Sequence, residues 1–102
     1  MKQILVLIAV IALGFSGTAI AADAEAGKAK SATCVACHGM DGHSANPLWP
    51  NLAGQKDQYL IKQMKDFRDG KRSDPVMAPM AAGLSDEDIA NLAAYYSSVK
   101  PK

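Results

Sequence analysis

The 102-residue sequence predicts an all-α fold, and three observations carry that expectation. Alanine is abundant and aromatic residues make up only 6% of the chain, so few of the side chains that strands favour are present. Three segments repeat their apolar residues at helical rather than strand spacing. The chain is also short: setting aside its leading segment leaves about eighty residues, a size that buries only ~60% of its unfolded surface and gains from a staple or cofactor.

That leading segment, residues 1–22, reads as a signal peptide. Lys2 gives a positive start, residues 4–15 form an apolar run, and Ala19, Ala21 and Ala22 supply small residues for cleavage after Ala21 or Ala22. The run is shorter than the ~20 residues that span a bilayer. Gly14, Ser16, Gly17 and Thr18 interrupt it where cleavage is expected, and the competing reading is an uncleaved anchor. Export leaves residues 23–102 as one domain in the periplasm with no membrane span. Loss of Lys2 takes the formal net charge from +1 to zero, which gives no electrostatic footprint for nucleic acid.

The first helix starts at the N-cap Asp23, with Glu25 in its first turn, and runs to about Thr33. Its inward positions, Ala24, Gly27 and Ser31, are small. Gly27 costs ~1 kcal/mol of helix propensity relative to Ala, which means either close approach of a crossing helix or a weak, flexible start. The second helix covers about residues 56–69, with Leu60, Met64 and Phe67 on one face, Tyr59 beside them, and Gly70 as its stop. Lys62, Lys65, Asp66, Arg68 and Asp69 make its other face a solvated, mixed-charge surface, with docking of an acidic partner as the alternative. The last helix opens on a Ser85/Asp88 capping box, carries Ile89, Leu92, Ala93, Tyr96 and Val99 as its apolar stripe, and is closed by Pro101. Tyr96 is the candidate to pack across Gly27.

Between the first two helices stands Cys34-Val35-Ala36-Cys37-His38, the C-x-x-C-H spacing that attaches a c-type haem. Each of two thiols three residues apart can add to one porphyrin vinyl group while the adjacent imidazole reaches the iron. A thiol–disulfide site or a zinc site would also use C-x-x-C, but no βαβ context and no second ligand pair is present. Export to an oxidising compartment favours haem attachment. The loop over residues 39–55 carries Pro47-Leu48-Trp49-Pro50, an apolar wall for a haem edge in which Trp49 is a core residue, and the Pro47 carbonyl is the expected acceptor for the free N–H of His38. His43 is expected as an exposed, titrating loop residue. The loop over residues 72–83 offers two thioethers, Met77 and Met80, as sixth iron ligand, whereas Met64 belongs to a helical stripe.

These residues resemble the class I cytochromes c, and over the whole mature length the chain is similar to one domain of the bacterial periplasmic dihaem cytochromes c and their single-haem relatives. The resemblance rests on Cys34-x-x-Cys37-His38-Gly39, on Pro47-x-Trp49-Pro50-x-Leu52-Ala53-Gly54-Gln55, on Tyr59-Leu60, and on Met77 ahead of Leu84-Ser85-Asp86. It implies a class I cytochrome c fold of three to four helices around one covalent haem c per chain. Its N- and C-terminal helices cross, which accounts for Gly27. It also implies Met77 as the ligand, seven positions before Leu84, with Met80 packing. Pro47, Trp49 and Tyr59 are then pocket residues.

The function implied is one-electron transfer, with no substrate chemistry. Partners would be redox donors and acceptors of a respiratory chain or a periplasmic dehydrogenase, met as a monomer in transient complexes. A haem subunit fixed in a larger dehydrogenase or oxidase complex and an open-site haem enzyme or gas binder are the alternatives.

Overall fold

A computed structural model describes residues 21–102, so the signal-peptide reading lies almost wholly outside the described residues. Five α-helices and no strand occupy the described part: α1 (Ala24–Lys30), α2 (Val35–His38), α3 (Asp57–Arg68), α4 (Met77–Ala82) and α5 (Asp86–Ser98). None of them is long and apolar enough to cross a membrane.

Asp23 caps α1 as expected, its carboxylate accepting from the N–H groups of Glu25 and Ala26. The α-helix ends at Lys30, and residues Ser31–Thr33 continue as a 3-10 turn that delivers the chain into α2. α1 lies across α5 so closely that a Cβ on Gly27 would sit 1.9 Å from the Asn91 carbonyl oxygen and 3.0 Å from the Leu92 nitrogen. Backbone therefore meets backbone at this crossing, and Gly27 is there for approach rather than flexibility. The partner is Asn91/Leu92 and not Tyr96, which lies more than one turn further along α5. Asn91 adds a second tie, since its Oδ1 accepts from the Asp23 N–H at 2.8 Å.

α5 carries the core. Leu92, Ala93, Tyr95 and Tyr96 cluster with Leu60 of α3, and Ala24, Cys34, Leu52, Met64, Leu84 and Val99 pack around them. Because α1 and α3 both pack on α5, consecutive residues of it are buried, a wider arc than a single stripe. Its N-terminus has the expected capping box, Ser85 Oγ accepting from Asp88 N–H and the Asp88 carboxylate from Ser85 N–H, both at 3.0 Å. α3 stops at Gly70 (φ 80°) with the Lys71 and Arg72 N–H groups returning to the Asp66 carbonyl.

The charged face of α3 is largely paired within the chain. Lys62 bonds Asp66, and the Arg68 guanidinium bonds both Asp69 and Asp86, tying the end of α3 to the start of α5. Arg72 lies over the Phe67 ring, 4.4 Å from its centre. Asp69, Asp74, Asp86 and Asp88 titrate low. The Arg68 guanidinium lowers Asp69 and Asp86, backbone N–H groups of Met77 and Val76 lower Asp74, and the Ser85 backbone lowers Asp88, all from an ordinary 3.8. A carboxylate depressed in the folded state contributes stability above its unfolded value and loses it as pH falls through the folded value. The melting midpoint by circular dichroism is therefore expected to hold steady from pH 7 to 5 and to fall below about pH 4; a midpoint unchanged down to pH 2.5 would refute this sign.

The segment over residues 72–83 is not a loop. Asp74 accepts from the Val76 and Met77 N–H groups at 2.9 and 2.8 Å and nucleates α4. Pro79 stands in the first turn, where a missing N–H leaves nothing unsatisfied, so it does not break the helix.

Candidate haem-attachment site

Cys34 closes the 3-10 turn, its N–H donating to the Ser31 carbonyl at 2.7 Å, and its own carbonyl accepts from the His38 N–H at 2.9 Å. The two thiols are thus one helical turn apart, which places them on the same face. Both are free and half-buried. His38 ends α2 and is only 6% exposed.

The His38 ring is held by a carbonyl three residues from the expected one: Nδ1 stands 2.8 Å from the Pro50 oxygen. A carbonyl only accepts, so Nδ1 carries the proton and Nε2 keeps its lone pair for a metal. Pro47 does not serve because its segment is turned by a network of its own. Ser44 N–H donates to Asn51 Oδ1, Leu48 N–H to Asn46 Oδ1, and Ser44 Oγ to the Asn46 carbonyl, at 2.7 to 2.9 Å. These bonds leave Pro50 facing the imidazole. Pro47 instead lines, with Ser44, Asn46, Trp49 and Pro50, a surface cleft of about 420 Å³. Trp49 is 39% exposed on that cleft rather than in the core, because prolines on either side hold its segment outside the helices.

The chain turns twice after His38. Gly39 and Gly42 both take positive φ, 82° and 83°. A Cβ on Gly42 would meet the Ala53 nitrogen at 2.7 Å and the Tyr96 ring at 2.8 Å. The Gly42 carbonyl accepts from Leu52 and Ala53, which closes the loop behind the His38 turn. His43 is not the exposed residue expected. Its ring is half-buried, with Nδ1 2.6 Å from Asp41 Oδ1 and Nε2 2.8 Å from the Lys100 carbonyl oxygen, and its contact holds the Asp41 carboxyl below the ordinary range. His43 therefore fastens the C-terminal tail to the loop.

Of the remaining sequence-derived site residues, Met77 is half-buried at the first position of α4, Met80 is 44% exposed and Tyr59 is 49% exposed on α3. α4 packs on α3, so Met77 comes from a different part of the chain than the C-x-x-C-H turn. Sequence reasoning missed three contributors: the Pro50 carbonyl, Asn91 and Asp74. Asn91 alone left a trace, as the polar residue inside the otherwise apolar run over residues 89–96 of α5.

The arrangement fits a covalent haem on the chemistry of its donors. Two free thiols share a helical face, a buried imidazole has its metal-binding nitrogen left over, and a glycine-turned loop closes behind them. Comparisons with known proteins agree. The chain is 50% identical over 101 residues to cytochrome c4 of Pseudomonas aeruginosa, covering 98% of this chain and 50% of that protein. It is 57% identical over 81 residues to cytochrome c-554(548) of Halomonas halodenitrificans, covering 76% of this chain and 98% of that one. The chain thus spans about half the length of the cytochrome c4 and nearly all of the shorter relative. The crystal structure of reduced recombinant cytochrome c4 from Pseudomonas stutzeri superposes with a TM-score of 0.75 at 46% identity, over 78% of this chain and 47% of that one. The cytochrome c pattern matches residues 24–100, the same span that holds the crossing of α1 on α5, the two thiols and the buried imidazole, and the chain accordingly belongs to the cytochrome c family, in its class I all-α form.

Proposed function

We propose that this chain is a one-electron carrier holding one haem c per chain through Cys34 and Cys37, with His38 and Met77 as axial ligands. The observation that carries the reading is the His38 ring, whose Nδ1 is committed to the Pro50 carbonyl while two free thiols stand on the same turn. When bound, the haem supplies a ferric/ferrous couple. The chain's own residues would hold it: Cys34 and Cys37 as thioethers, with His38 Nε2 and Met77 Sδ as the ligands to its iron. Pairing His with Met raises the reduction potential and suits electron transfer. Burial of His38 and its bond to Pro50 limit rearrangement when the charge changes. Pro47 and Trp49 wall the cleft beside the His38 loop, and Tyr59 is assigned to the pocket rim.

The mature domain in this reading is residues 23–102, freed by cleavage after Ala21 or Ala22 and acting in the periplasm. Its partners are redox proteins of a respiratory chain or a periplasmic dehydrogenase. With much of the α3 charge paired internally, no single-sign surface on that helix dictates them.

Oxidised and reduced absorption spectra of the purified exported protein, taken with a haem stain after denaturation, test the proposal. Retention of colour after denaturation, together with a sulfur-to-iron band in the red region of the ferric spectrum, is the expected result. Colour lost on denaturation would overturn covalent attachment, and rapid carbon monoxide binding by the reduced protein would replace the carrier with an open-site haem protein.

A further inference from the structure

Residues 69–84, which carry Met77, have little of their own to hold them in shape. Gly70 and Gly83 stand near the two ends, and Pro75 and Pro79 lie between. α4 is a helix of only 6 residues. A helix that short has no stability in isolation, so its position is set by what holds it. Asp74 caps its start, and α4 packs on α3. The tie that joins the two ends of the segment is a different one, the side chain of Arg68.

Arg68 is the last residue of α3. Its Nε and Nη2 donate to the two carboxylate oxygens of Asp69 at 2.9 and 3.4 Å. Its Nη1 donates across the segment, to the Leu84 carbonyl at 3.3 Å and to Asp86 Oδ1 at 2.7 Å. Asp69 therefore grips one edge of the planar fork and aims the other at the far end of the segment, a geometry that a guanidinium provides and an ammonium does not. Residues 16 positions apart in sequence are joined by one side chain. The anchor on the far side is itself fixed, because Ser85 and Asp88 cap α5 reciprocally.

We propose that Arg68 is a positioning residue for the haem iron: by closing the segment of residues 69–84 at its base, it keeps the Met77 sulfur in place as a ligand. The inference rests on the His38/Met77 reading above. Opening the iron means moving α4 away from it, and the bonds to Leu84 and Asp86 oppose that motion at the segment's base. Without them the open form is more populated, a local opening that leaves the rest of the domain folded. An added ligand that competes with Met77 binds only the open form, so its apparent affinity reports that population.

The test is a titration of the ferric, haem-loaded protein with imidazole, followed by loss of the red sulfur-to-iron band. Arg68→Ala is expected to bind imidazole about fivefold more tightly than the unsubstituted protein, the size that fits loss of a small network of partly exposed ion pairs. Arg68→Lys keeps the charge without the fork and is expected to side with Arg68→Ala. Gly27→Ala, which strains the crossing of α1 on α5, is expected to leave the imidazole affinity unmoved. An affinity that is unchanged or weaker in Arg68→Ala overturns the proposal. So does a Gly27→Ala increase as large as that of Arg68→Ala, which would make the effect one of general stability, and so does full restoration by Arg68→Lys, which would make it one of charge alone. If the unsubstituted ferric protein has no red band, the Met77 reading fails and this proposal with it; if the band is present and Arg68→Ala binds imidazole no more tightly, only this proposal fails.

Discussion

Replacing Gly27 by Ala is expected to lower the melting midpoint of the haem-loaded protein by about 8–16 °C, from a net loss of ~2 kcal/mol. Two effects oppose each other. Alanine gains about 1 kcal/mol of helix propensity in the interior of α1. The added methyl group, however, would stand 1.9 Å from the Asn91 carbonyl oxygen and 2.5 Å from its carbon, both backbone atoms of α5. Neither can move aside without shifting a helix whose first turn is fixed by the Ser85/Asp88 box and whose Asn91 side chain holds the Asp23 N–H. Overpacking of this kind costs about 1–3 kcal/mol, and a clash with backbone belongs at the upper end. Gly83→Ala is the matched control, since a Cβ there meets nothing within 4 Å and the residue does not take positive φ. Thermal melts of the two variants followed by circular dichroism make the comparison. Equal midpoints would mean that α1 does not press on α5 as described.

The contrast between those glycines shows where sequence carried the structure. Signals confined to one turn were legible: the Asp23 cap, the Ser85/Asp88 box and the Gly70 stop all form as their spacing demands. The C-x-x-C-H motif is equally local, and its two thiols and imidazole occupy a single turn of chain. Contacts that depend on how a loop is folded were not legible. Pro47 and Pro50 are alike as acceptors, and the choice between them is made by bonds among Ser44, Asn46 and Asn51. His43 read as an exposed loop residue because its acceptor, the Lys100 carbonyl, lies at the far end of the chain. The α4 helix was hidden by Pro79 within it and Pro75 ahead of it, and its start depends on Asp74, which looks like an ordinary loop residue. Tyr96 was correctly placed in the core of α5, but its neighbour there is the Gly42 turn, a consequence of the loop path rather than of helical period.

Met77→Ala is expected to abolish the sulfur-to-iron band of the ferric protein, to lower the reduction potential, and to open the iron to carbon monoxide, whereas Met80→Ala is expected to retain the band. The two methionines are one turn apart on α4, and the structure distinguishes them by environment. Met77 is half-buried at the position where the helix begins, and Asp74 holds its N–H at 2.8 Å. Met80 is 44% exposed. A ligand must hold its sulfur in place through both oxidation states, and a side chain fixed at a capped helix start loses less freedom in doing so than one turned largely to solvent. A thioether ligand also raises the potential relative to an iron without it, so band and potential should fall together in the true ligand's variant. The Asp74→Ala variant adds a second measurement. By releasing the N–H groups of Val76 and Met77 it loosens the start of α4, and it is expected to weaken the band at neutral pH while leaving the haem attached through Cys34 and Cys37. Should Met80→Ala lose the band and Met77→Ala keep it, the axial ligand is Met80, and α4 presents its second turn to the iron.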